Sequence, residues 1–141
     1  MVRLFVIVSI LLTGVACRIQ SIAVKGRITC GKKPAACLSI GLWDEDVSGI
    51  FDFADSDDLL DRRHSGPNGE FYLAGSTDEI SNIDPYLMIY HNCREESEGE
   101  TSEVKFTLPD EYITYGSTPS RILDFGVINL EAIRQRRMLR R

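Results

Sequence analysis

Apolar and polar residues alternate at intervals of two through most of the middle of this chain. Over residues 21–30, Ile22, Val24, Gly26, Ile28 and Cys30 fall on one side, and Ala23, Lys25, Arg27 and Thr29 on the other. That is the period of a half-buried β-strand. Leu38, Ile40 and Leu42 predict the inward face of a second strand, with Ser39, Gly41 and Trp43 outward. Residues 85–93 predict a central strand, opened by Pro85 and closed by Cys93. Leu87, Ile89, His91 and Cys93 share one face of it, and Tyr86, Met88, Tyr90 and Asn92 the other. Further inward positions are Phe71 and Leu73, then Val104, Phe106 and Leu108, then Leu123, Phe125 and Val127 with a bulge at Gly126. Residues 62–65 predict a short strand at most, and residues 112–116 an extended stretch.

The breaks between these segments carry turn chemistry. Gly31-Lys32-Lys33-Pro34 is one turn. In Gly66-Pro67-Asn68-Gly69, Pro fixes one backbone angle and Gly accepts a positive φ. Residues 75–84 read as a polar connection with one helical turn near 77–81, and residues 131–139 as a frayed helix. About seven short strands at regular spacing predict an all-β fold, a two-sheet antiparallel sandwich. The expected domain runs over 18–131.

The two ends differ from this body. Arg3 precedes an apolar run over residues 4–12, and Gly14-Val15-Ala16-Cys17 supplies small residues. Residues 1–17 therefore read as a secretory signal peptide cut after Ala16 or Cys17. The run is too short to span a hydrocarbon layer of about 30 Å. The expectation is a secreted chain in the extracellular space that does not span a membrane. Residues 132–141 form a basic tail, with Arg134, Arg136, Arg137, Arg140 and Arg141 in its last eight positions.

Net charge is −5. With five arginines confined to the tail, the body is strongly acidic, which argues against nucleic acid as a partner. Of four cysteines, Cys30 and Cys93 each close a strand on its inward face. If those strands lie in facing sheets with their ends at one pole, the two sulfurs meet as a cross-sheet disulfide, which an extracellular setting permits. Cys37 has outward parity. It is left as a free thiol, a partner of Cys17 if cleavage spares that residue, or a bridge to another chain. No C-x-x-C occurs and there are two histidines, so the spacing is not that of a zinc site.

Residues 44–61 form an acidic loop with eight carboxylates. Asp44, Asp46, Asp52 and Asp55, with Ser48 and Gly49, fall at calcium-loop spacing. Strands rather than helices flank the loop, so the EF-hand reading fails. A sandwich pole bearing several aspartates could still hold Ca²⁺ and bridge to anionic lipid; the plain alternative is a solvated tip. Phe51 and Phe53 within it either pack back on the domain or insert into an interface. His91, alternating with core residues, reads as a hydrogen-bonded interior side chain.

Several stretches in order resemble the nematode transthyretin-like family: Val24-Lys25-Gly26-Arg27 with Cys30-Gly31-Lys32-Lys33-Pro34-Ala35, Leu42-Trp43-Asp44-Glu45-Asp46, Asp57-Asp58-Leu59-Leu60-Asp61, Asn68-Gly69-Glu70-Phe71, Ile89-Tyr90-His91-Asn92-Cys93 and Tyr112-Ile113-Thr114. The resemblance covers about residues 21–131. It implies a transthyretin-like (prealbumin-like) sandwich, secretion, and association with the extracellular space or cell surface. The wider fold includes a 5-hydroxyisourate hydrolase whose subfamily ends in Tyr-Arg-Gly-Ser; here Tyr115-Gly116-Ser117 is internal and lacks the arginine, which argues against that enzyme. Tetramers also occur in the wider fold, so a homo-oligomer stays open.

The expected function is thus a secreted non-enzymatic binding protein for a small apolar ligand or a cell-surface component, with no catalytic residues and no cofactor. The alternatives are a calcium-dependent adaptor for anionic lipid, through residues 44–61, and a hydrolase-like enzyme.

Overall fold

The longest strand, β1 (Arg18–Cys30), is the axis of the first sheet. On one side it pairs antiparallel with β2 (Lys33–Pro34) and with β5 (Glu70–Glu79) in an unbroken register from Arg18↔Glu79 to Arg27↔Glu70. It also pairs with β8 (Thr114–Tyr115), antiparallel, and with β9 (Leu123–Asn129), parallel. The second sheet runs β4 (Asp58–His64), β3 (Ser39–Asp44), β6 (Pro85–His91), β7 (Ser102–Thr107), antiparallel throughout. A 3₁₀ turn at Asp110–Tyr112 precedes β8. The computed structural model describes residues 17–46, 57–93 and 101–133.

The inward faces meet in one core. Ile22, Val24 and Ile28 from β1, Phe71 and Leu73 from β5, Ile40 and Leu42 from β3, and Leu87 and Ile89 from β6 are all buried there. Each such side chain contributes about 1.5–3 kcal/mol by leaving water. The prediction of a two-sheet all-β sandwich is met, with the β1–β9 pair as a parallel exception to the antiparallel rule.

Three local expectations need correction. No helical turn forms over 77–81. β5 continues to Glu79 because β1 begins at Arg18, earlier than its apolar pattern, and offers ladder partners to the polar residues. β4 spans seven residues, not a short stretch after Arg62. Its sequence is charged because it is an edge strand, paired on one side with β3. In β9 the bulge reverses the parity after Phe125: Lys25 faces Asp124 and Arg27 faces Val127, so Phe125 and Gly126 together stand opposite Gly26, one residue more than the partner strand has. Val127 is therefore 64% exposed, and Ile128 and Leu130 take the inward places. Gly126 at this bulge has φ +64, the left-handed region that favours glycine.

The sheets are joined at both ends. At one, the sulfurs of Cys30 and Cys93 form a disulfide, with Cα atoms 5.8 Å apart. At the other, two buried polar side chains hold the β5–β6 connection. Gln20 Nε2 donates to the Ser81 carbonyl at 2.6 Å, and Gln20 Oε1 accepts from the Ile83 N–H at 3.2 Å. Asp44 Oδ1 accepts from the Asp84 N–H at 2.7 Å. Along one flank β4 meets β5, where the Ala74 N–H donates to Asp61 Oδ2 at 3.2 Å. Gly75 sits so close to Leu60 that a Cβ there would lie 2.7 Å from its carbonyl oxygen.

Candidate functional site

The end of the sandwich held by Gln20 and Asp44 is also where carboxylates converge. Asp44 follows Ile40 and Leu42 on the inward face of β3, and this parity carries a charged residue inward just past the core. Its side chain is 3% exposed. Glu79, the last residue of β5, shares the inward parity of Phe71 and Leu73 and approaches from the opposite sheet. Asp46 lies just beyond β3, its N–H donating to Asp57 Oδ1 at 3.3 Å. One carboxylate oxygen from each of Asp44, Asp46 and Glu79 lies within 4.8 Å of the others. They border a cavity of about 300 Å³, also lined by Ile80, Asn82 and Asp84.

The electrostatics follow from that crowding. Burial pushes the Asp44 carboxyl up to about 6, and the nearby charges of Asp46, Glu79 and Asp84 push the same way; the hydrogen bond from the Asp84 N–H opposes them. Three clustered carboxylates can share a proton or surround a hard cation such as Ca²⁺, which takes six to eight oxygens. Apolar side chains stand at the rim. Ile80 is 62% exposed, and Tyr115, 60% exposed, donates its hydroxyl to Asn82 Oδ1 at 3.1 Å.

Of the four aspartates at calcium-loop spacing, Asp44 and Asp46 meet here. Asp52 and Asp55, with Phe51 and Phe53, lie outside the described residues, as do residues 1–16 and most of the tail. Sequence spacing missed Glu79, 33 positions beyond Asp46. The cue was parity: extended by six residues, the Phe71/Leu73 pattern puts Glu79 on the inward face.

The remaining candidates are at the disulfide end. His91 is 2% exposed, and its Nδ1 accepts the Cys93 N–H at 3.2 Å. His64 is exposed at the end of β4, opposite Ser39. Cys37, exposed and unbonded, has φ +60 and donates its N–H to the Ser65 carbonyl. Cys17 is exposed and unbonded just before β1, at the carboxylate end. The length of β1, about 40 Å at 3.3 Å per residue, separates the two thiols, so a Cys17–Cys37 bridge within one chain is excluded by distance.

Two other surfaces bear on recognition. The outer face of the first sheet has a shallow groove of about 660 Å³ whose charges are mutually paired, Lys25 with Asp124 at 3.4 Å and Arg27 with Glu70 at 3.7 Å. Across the second sheet runs a row of Arg62, Trp43, Tyr86 and Lys105: each cation lies over a ring, and the two rings stack 6.5 Å apart. Trp43 lies against Gly41, where a Cβ would be 2.3 Å from its Nε1. The Tyr86 hydroxyl donates to Asp57 Oδ2 at 2.6 Å; burial, then that hydrogen bond, raises its pKa. Among the described residues, no helix is long and apolar enough to cross a membrane.

The fold is a two-sheet β-sandwich pinned by one cross-sheet disulfide, with a carboxylate cluster at the opposite end. The model of the transthyretin-like family matches residues 25–109, and the chain belongs to that family. It is 44% identical over 133 residues to transthyretin-like protein 46 of Caenorhabditis elegans, covering 93% of this chain and 72% of that protein. It is 38% identical to transthyretin-like protein 2 (80% and 76% covered) and 39% identical to transthyretin-like protein 5 (79% and 76%), both of the same organism.

Proposed function

We propose that this transthyretin-like protein is a secreted, non-enzymatic binding protein that engages a cell-surface component through its carboxylate end. The observation that carries this reading is the meeting of Asp44, Asp46 and Glu79 from different elements beside an exposed apolar rim. Both cavities described are lined with charged side chains, which favours a surface target over a small apolar ligand. The apolar run over residues 4–12 and the disulfide support an extracellular setting. The buried, hydrogen-bonded placement of His91 supports a structural rather than catalytic role for it.

The test is binding of labelled chain to intact cells of the organism that secretes it, wild type against the double variant D46N/E79Q. Loss of binding in the variant is expected; equal binding overturns the reading. A second reading, a calcium-dependent adaptor for anionic lipid, is favoured by the spacing of the three carboxylate oxygens. It predicts a rise in melting temperature with millimolar Ca²⁺ and Ca²⁺-dependent sedimentation with phosphatidylserine vesicles. No shift and no sedimentation remove it.

A further inference from the structure

The turn between β4 and β5 contains an Asn-Gly pair, a dipeptide prone to deamidation. Asn68 is the chain's single asparagine followed by glycine. In that dipeptide the residue after the asparagine has no side chain to shield its backbone nitrogen, so that nitrogen can attack the Asn side chain. The Gly69 nitrogen would bond to Asn68 Cγ, the Cγ–Nδ2 bond would break, and ammonia would leave with the proton from the Gly69 amide. Water then opens the cyclic imide at either carbonyl. One opening leaves an ordinary aspartate in place of the asparagine, and the other its isomer with the main chain routed through the side-chain carbon.

Here the attacking atom is occupied. The Gly69 N–H donates to the Gly66 carbonyl at 2.8 Å, closing the turn. The carbonyls on both sides of that nitrogen are engaged as well. Asn68 O accepts from Arg27 Nε at 3.0 Å, and Gly69 O accepts from the Ile28 N–H at 2.8 Å. Gly69 sits at φ +78, and a Cβ there would lie 2.1 Å from the Ile28 carbonyl oxygen, so glycine is required at this place. The residue that makes the bond labile is thus the one the turn cannot replace.

We propose that Asn68 is a modification site gated by the turn: it converts to aspartate and isoaspartate when the β4–β5 turn opens, and is protected while the turn is closed. The isomerised product adds a carbon to the main chain between Asn68 and Gly69. It cannot restore both the Gly69–Gly66 and Ile28–Gly69 hydrogen bonds, so each conversion marks one opening event irreversibly.

The experiment ages the full disulfide-bonded chain at 37 °C and pH 7.4, folded and in guanidinium chloride. Peptide mapping follows the one-dalton gain at Asn68, and electron-transfer fragmentation separates the two isomers. Conversion in the folded chain is expected to be slower than in the unfolded chain by about tenfold or more, since local opening is required. Equal rates overturn the proposal. Pro67→Gly keeps the Asn-Gly pair and loosens the turn; folded P67G should convert at least about threefold faster than folded wild type. If circular dichroism shows P67G folded and its rate is unchanged, the gating is refuted.

Discussion

Replacing both Cys30 and Cys93 with alanine tests the architecture most directly. The bridge joins residues 63 apart in sequence. In the chain-entropy treatment, closing a loop of that length removes about 14 cal/mol/K from the unfolded ensemble, or about 4 kcal/mol at 25 °C. Cys93 is 6% exposed and Cys30 half-buried, so truncation adds a small packing loss. Against a typical domain stability of about 5–15 kcal/mol, the variant should still fold. Guanidinium unfolding, followed by tryptophan fluorescence from Trp43, should show a loss of about 3–4 kcal/mol with a larger m-value, because the unbridged chain exposes more surface. Since the constraint acts on the unfolded chain, most of the loss should appear as slower folding. A loss below about 1 kcal/mol, or one carried wholly by faster unfolding, would refute the entropic reasoning.

Three further outcomes follow from particular residues. Because the folded Asp44 carboxyl titrates at about 6 against 3.8 unfolded, its contribution is fully present below about pH 4 and is lost as pH rises through 6. Because Asp44 lines a cavity open to solvent, the change is about 1–2 kcal/mol, and denaturation in EDTA between pH 4 and 7 should show it in wild type and not in D44N. Gly69→Ala should cost more than about 2 kcal/mol by denaturant unfolding, from left-handed strain plus the clash with Ile28. Gly126→Ala, with φ +64 and no atom within 4 Å of the new Cβ, should cost about 1 kcal/mol; equal costs would sink the steric argument. Gln20→Ala leaves the Ser81 carbonyl and the Ile83 N–H without their partner, and should cost about 2–3 kcal/mol. Amide exchange measured on the variant should rise at Ile83.

The inward faces of β1, β3 and β6 were legible because an apolar side chain recurs there at every second position; that Ala23 and Tyr86, on the opposite parity, are buried as well was not. The charged and polar stretches were not. β4 and the far end of β5 form strands because β3 and β1 supply ladder partners, and backbone pairing leaves no mark in side-chain pattern. Gly126 marks the β9 bulge in the sequence, but simple alternation continued through it points Val127 inward, whereas the extra residue turns Val127 outward. At the candidate site Asp44 and Asp46 stood out as neighbours in sequence. Glu79 faces inward by the parity of Phe71 and Leu73, but topology, not sequence, brings it to them from the other sheet, and Asp44 is buried because its strand's inward parity continues past Ile40 and Leu42.

The two ends of the sandwich are fastened by unlike means, and so they answer to different surroundings. A reductant can act on the covalent fastening and leaves the hydrogen-bonded clasp untouched. A shift in acidity works on the clasp and spares the sulfurs. A chain carried from one milieu to another would therefore loosen first at whichever end its new solvent attacks, and the direction of opening would report which milieu it had entered.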